Sequence, residues 1–140
     1  MPQDEIPRVG HADLSTVVRI ARDPVGELRR FLRRRKYFVG IVMSTAFFEH
    51  YGIKKMKDHF DQRGIHISED KIERLPLKEI IIFLYGLCLV TEQTYSKMFE
   101  VKETRDSLVH DISAKYQLTQ DEGRRILRKA IECMEELMSR

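Results

Sequence analysis

Leu77-Lys-Glu-Ile80-Ile-Ile-Phe-Leu-Tyr-Gly86-Leu-Cys-Leu-Val90 is apolar on nearly all sides after its first turn. A bilayer span needs about 20 such residues, and the uninterrupted run Ile80 to Val90 supplies about half of that. The segment therefore reads as a buried helix, and as the central helix of a bundle. Thr91 follows at once as an N-cap for the next helix. That helix carries Tyr95, Met98, Phe99, Val101 and Leu108 inward at helical spacing. Further on, Thr119-Gln-Asp-Glu122 is a capping box that opens a last helix running to about Met138.

Upstream, residues 1 to 10 read as a loose arm containing Pro2, Pro7 and Gly10. Leu14, Val17, Val18 and Ala21 predict a short helix over His11 to Arg22. Asp23-Pro24 is a helix start, with Asp as N-cap and Pro at the first helical position. From about Val25 to Phe60, Leu28, Phe31, Leu32, Val39, Val42, Met43, Ala46 and Phe47 keep one helical period. Gly40 and Gly52 are points where this long helix loosens or divides in two. Gln62-Arg-Gly64 ends it, Ser68-Glu-Asp begins a short turn of helix, and Pro76 resets the chain. No repeat, low-complexity tract or strand pattern is present. The expectation is an arm over residues 1–24 and a single domain over residues 25–140. That domain is all-α, an up-and-down bundle of four to five helices.

A chain of 140 residues, 42% of them hydrophobic, can bury one core. Cys88 and Cys133 lie inside apolar helical patterns without pairing or metal spacing, which predicts buried thiols in a reducing compartment. Met1-Pro-Gln-Asp-Glu is acidic and no apolar leader follows it, so the expected location is cytoplasmic, with no membrane. The net charge of +3 is unevenly placed. Residues 22 to 36 hold seven Arg or Lys against Asp23 and Glu27, giving +5, so the remainder sums to −2. Such a patch suits a polyanion. Arg29, Arg30, Arg33, Arg34, Arg35 and Lys36 form two arginine rows with a basic end, predicting a salt-sensitive RNA-backbone track. The alternatives are a solvated helix face whose stems cover apolar surface, or a dock for an acidic partner.

Chemistry concentrates in Glu103-Thr-Arg105-Asp106-Ser-Leu-Val-His110-Asp111. A guanidinium grips a phosphate by two parallel hydrogen bonds, and an imidazole moves a proton near neutral pH. Asp106, four residues before His110, shares its helical face and is placed to orient the ring, or else pairs with Lys102 four residues earlier. Arg105 and His110 fall about 140° apart around a regular helix. They can cooperate only if the helix distorts near Val109 or if two facing helices combine, as in a two-fold dimer. Glu49, before His50 on the long first helix, reads either as a solvated charge or as a carboxylate that approaches this site across the bundle; the first is preferred and Glu49 is not assigned to the site. His50, His59 and His66, with Asp58 and Asp61, lack metal-ligand spacing, so neither a metal nor a cofactor is expected. No phosphate-binding glycine loop, nucleophile elbow or Cys–His pair is present, which argues against NTPase, esterase and thiol-protease chemistry.

An apolar helix ending in Leu87-Cys-Leu-Val90, then a Thr-capped helix ending in Arg105-Asp106-x3-His110, resembles the HEPN superfamily over roughly residues 36 to 138. Its mark is Arg, a polar residue, and His after four to six intervening positions. The resemblance implies a homodimeric, metal-independent endoribonuclease acting in toxin–antitoxin pairs, defence or RNA processing. Arg105 and His110 would then be essential and Asp106 supportive, with an antitoxin or other protein as a further partner. Toxins paired with minimal nucleotidyltransferases continue His-x-Tyr, from which His110-Asp111-Ile112 departs. The competing expectations are a non-catalytic HEPN-like module binding a nucleotide or partner, and a helical nucleic-acid-binding regulator.

Overall fold

A computed structural model describes residues 23–110 and 117–139; the arm, the expected helix over His11 to Arg22, and Asp111 lie outside the described residues. Among the described residues there are six helices and no strand. They are α1 (Pro24–Arg33), α2 (Tyr37–Gln62), α3 (Glu69–Glu73), α4 (Leu77–Gly86), α5 (Glu92–His110) and α6 (Gln120–Met138). The all-α bundle is as expected.

Helix starts follow local chemistry. Asp23 Oδ1 accepts from the Gly26 N–H at 3.0 Å with Pro24 at the first position, and Thr119 accepts from the Glu122 N–H. Thr91 Oγ1 accepts from the Thr94 N–H at 3.2 Å. Helix ends follow a different device. At the end of α1, Lys36 N–H bonds Phe31 C=O and Arg35 N–H bonds Leu32 C=O. These two bonds form a Schellman motif, with Arg35 in the left-handed region at φ 57°. The same pair of bonds closes α2 at Gly64 and α4 at Cys88, the latter at φ 61°.

These endings correct three expectations. The long helix from Val25 to Phe60 is two helices, and it breaks at Arg34–Lys36 rather than at a glycine. The helix from Leu77 stops at Gly86, and Ile82, Phe83 and Tyr85 on it are each at least 40% exposed, so α4 is peripheral. Cys88, carried past the helix end, is exposed. Cys133 is buried, and that burial pushes its thiol up to about 12.

The centre is instead the pair α2 and α6. Their starts meet where Gly123 approaches Tyr37: a Cβ on Gly123 would lie 2.7 Å from Tyr37 Cβ. Their ends meet where Lys55 Nζ donates to the backbone carbonyls of Leu137 and Ser139 at 3.4 and 3.1 Å. The two helices therefore run parallel. Gly40 admits Leu127 of α6 and Phe31 of α1 in the same way. Phe47, Phe48, Ile126, Leu127 and Met134 are fully buried around this seam. Each such side chain stabilises by about 1.5–3 kcal/mol relative to exposure. α1 and α5 each pack closely on both members of the pair and not closely on each other, so they occupy opposite grooves.

The Tyr37 Cβ is fixed to its backbone and cannot swing away from a new methyl group. Gly123→Ala should destabilise the fold by about 1–2 kcal/mol, the clash outweighing a helix-propensity gain of up to about 1 kcal/mol. Urea unfolding checks this through the midpoint at unchanged slope.

Candidate active site on α5

Three ion pairs and one cap set the register of α5 against α6. Lys97 bonds Glu132 at 2.8 Å, while Arg125 and Lys129 bond Glu100 at 2.9 and 2.6 Å. At the start of α5, the Glu136 carboxylate accepts from the Thr91 N–H at 2.9 Å and from the Thr91 and Thr94 hydroxyls. Burial pushes the Glu136 carboxyl up, but these bonds outweigh it and hold its pKa below the ordinary value. α5 thus runs antiparallel to both α2 and α6. Its His110 end lies toward the pole where α2 and α6 begin.

One turn before that pole, Arg105 is half-buried against α2. Its Nε donates to Asp106 Oδ1 at 2.9 Å, and its Nη1 donates to Thr45 Oγ1 at 3.4 Å. The buried Thr45 hydroxyl donates in turn to the Val42 carbonyl at 2.8 Å, which turns its lone pairs toward the guanidinium. Lys102 Nζ occupies the other Asp106 oxygen at 2.6 Å. Burial alone would raise the Asp106 carboxyl, yet the Lys102 bond and the Arg105 charge leave it lowered and ionised. Both Asp106 oxygens are thereby engaged on the Lys102 and Arg105 side. The carboxylate orients the guanidinium rather than the imidazole, and the Lys102 pairing weighed from the sequence is present. Among the described residues, no partner takes the Nη2 donors of Arg105.

His110 is exposed at the end of α5, and no described residue bonds its ring. The helix reaches it without a break at Val109. Arg105 and His110 of one chain therefore stand about 140° apart around the axis and about 7.5 Å along it. The structure does not bring them side by side.

Glu49, set aside as a solvated charge, belongs to this cluster. It lies one turn beyond Thr45 on the same face of α2 and is half-buried. Burial raises its pKa above the ordinary value, and the Arg105 charge partly offsets that rise. Only the tertiary packing of α2 on α5 reveals this, since the two residues are far apart in sequence.

The basic track divides. Arg29 is taken by Glu135 of α6 and Arg30 by Glu27 at 2.6 Å. Arg33, Arg34, Arg35 and Lys36 are exposed, the last three in the turn rather than on a helix row. His59 bonds Arg63, and among the described residues no group of His, Cys, Asp or Glu side chains is disposed to hold a metal ion. No described helix is long and apolar enough to cross a membrane. Comparison of the chain with protein-family models, curated proteins and solved structures finds no match.

The Glu49 environment carries a pH signature. With the folded-state pKa raised, the protonated form favours folding. The stability it contributes is complete below the ordinary value of 4.5 and is lost as pH rises through the raised folded value. Glu49→Gln should therefore raise the thermal midpoint at neutral pH, and the gain should shrink toward pH 4. A lowered midpoint at neutral pH would instead identify ionised Glu49 as a net stabilising partner of Arg105.

Proposed function

We propose that this chain is a HEPN-type endoribonuclease that cleaves RNA without a metal, working as a homodimer. The observation that carries the reading is the held guanidinium: Asp106 and Thr45 fix Arg105, and among the described residues nothing takes its Nη2 edge. Those donors match the geometry of a phosphate.

In such a reaction the RNA 2′-oxygen attacks phosphorus as a base removes its proton. The bond from phosphorus to the 5′-oxygen breaks, and an acid protonates that leaving oxygen. The products are a 2′,3′-cyclic phosphate and a 5′-hydroxyl. Arg105 stabilises the charge that builds on the phosphorane oxygens. His110 supplies one proton transfer. Glu49, whose carboxyl is raised by burial and feels the Arg105 charge, is a candidate in the same chain for the other.

An unbroken α5 leaves one of the two routes to cooperation between Arg105 and His110, namely a composite site. A two-fold axis through the end of α5 would face His110 of one protomer toward Arg105 of its partner. Exposed Val109, 47% accessible, sits beside His110 on the surface such contact would cover. The same angular separation favours a second reading, in which a monomeric chain binds a nucleotide phosphate at Arg105 and does not cut.

Cleavage of a mixed-sequence RNA in EDTA tests the first reading. The wild type should leave cyclic-phosphate ends, and His110→Ala or Arg105→Ala should lower the rate by at least about 100-fold. Intact RNA with every protein, together with nucleotide binding lost in Arg105→Ala, would establish the binding module instead.

A further inference from the structure

Two of the arginines left without a carboxylate among the described residues meet across the groove between α1 and α6. Arg33 of α1 and Arg128 of α6 line an open hollow of about 350 Å³ whose floor is Leu32 and Ile131. A second hollow, about 340 Å³, continues along α6 and shares Arg128 and Glu132 with the first. Together the linings hold six cations (Arg29, Arg33, Arg124, Arg125, Arg128, Lys129) and two carboxylates (Asp121, Glu132), with Glu100, Glu122 and Glu135 bonded at their edges. Several of these cations are already engaged: Arg29 by Glu135, Arg124 by Asp121, Arg125 by Glu100 and Glu122, and Lys129 by Glu100. Arg33 and Arg128 remain open at the middle. At the pole, the turn Arg34–Lys36 adds three exposed cations with no acid in its own sequence.

We infer that the α1–α6 groove, centred on Arg33 and Arg128, binds a single-stranded nucleic-acid backbone, at a place separate from Arg105. Three features point to that occupant. Arg33 and Arg128 in the first hollow and the exposed Arg34, Arg35 and Lys36 at the pole give an extended polyanion several points of attachment, which a single small anion does not need. Guanidinium groups pair with phosphate oxygens by paired donors and also stack on bases. Leu32, partly exposed between the two arginines, gives a base an apolar contact beside the guanidiniums. An acidic protein segment shares the charge but has less use for two open guanidiniums flanking a partly exposed leucine.

The first hollow lies between α1 and α6, while the second runs along the face of α6 whose Arg125 and Lys129 pair with Glu100 of α5. A strand centred on Arg33 and Arg128 is held apart from Arg105, whose guanidinium packs on Thr45 of α2 rather than on α6. The inference extends the RNA reading of the preceding subsection, but its test needs no cleavage.

Fluorescence anisotropy of a labelled oligouridylate is measured in the His110→Ala background, so that the strand stays intact. The double variant Arg33→Glu/Arg128→Glu is compared with Arg74→Glu, an exposed arginine beyond α3, and circular dichroism checks that all are folded. We expect the double variant to lose affinity by an order of magnitude or more, with the slope of log affinity against log salt reduced by about 1.4, and Arg74→Glu to change little. Equal binding by the double variant and the control overturns the inference. So does tighter capture of oligoglutamate than of oligouridylate by the unsubstituted groove, which would assign it to an acidic protein. Failure of RNA cleavage with groove-dependent RNA binding retained would sink the ribonuclease reading and leave this inference standing.

Discussion

Everything in this bundle hangs on the parallel contact between α2 and α6. It is made at its start by Gly123 receiving Tyr37 and Gly40 receiving Leu127, approaches too close for a side chain on the glycine. Two parallel helices in van der Waals contact offer two grooves. α1 fills one and α5 the other, so the chain separates its two concentrations of charge. The Arg105 cluster looks onto α2 from one side. The arginines of α1 look onto α6 from the other. Only the Arg34–Lys36 turn and the end of α5 share a pole.

Within the α5 groove, burial and charge work against each other to a useful end. Arg105 is half-buried, and its charge is balanced by Asp106, which Lys102 in turn supports. Charges so arranged are less screened than surface pairs and hold a fixed direction. Thr45 adds a neutral oxygen from a second helix, so the guanidinium is oriented by two elements rather than one. Glu49 is left as the carboxylate that pays for the packing, its proton retained more strongly than in water.

Much of the fold was legible in the chain because helix starts are local events. Asp23-Pro24, Thr91 and Thr119 each place an oxygen where a free N–H needs one, and each appears in the structure as read. Helix ends were less legible. Arg35 and Cys88 occupy left-handed positions that glycine usually signals, so Arg34–Lys36 looked like continuous helix and Cys88 like core. The run Ile80–Val90 announced a helix but misplaced it, since hydrophobicity counts apolar residues without saying which neighbour covers them. Ile82, Phe83 and Tyr85 remain exposed for that reason. At the candidate site, Arg105, Asp106 and His110 were singled out by their spacing. The partner of Asp106 was decided by nearer cations, one residue and one turn away. Glu49 was weighed as a carboxylate that could cross the bundle, but only tertiary structure sets it near Arg105; Arg128 has nothing in its own sequence neighbourhood to distinguish it from a solvated charge.

The central claim is that a catalytic pair forms between protomers, with Arg105 from one chain and His110 from the other. Mixing purified Arg105→Ala with His110→Ala protein, after subunit exchange has been verified, tests it most directly. Each mixed dimer then contains one intact pair and one doubly defective pair, so cleavage should return to about a quarter of the wild-type rate. A mixture that exchanges subunits and stays as inactive as its two components would contradict the account.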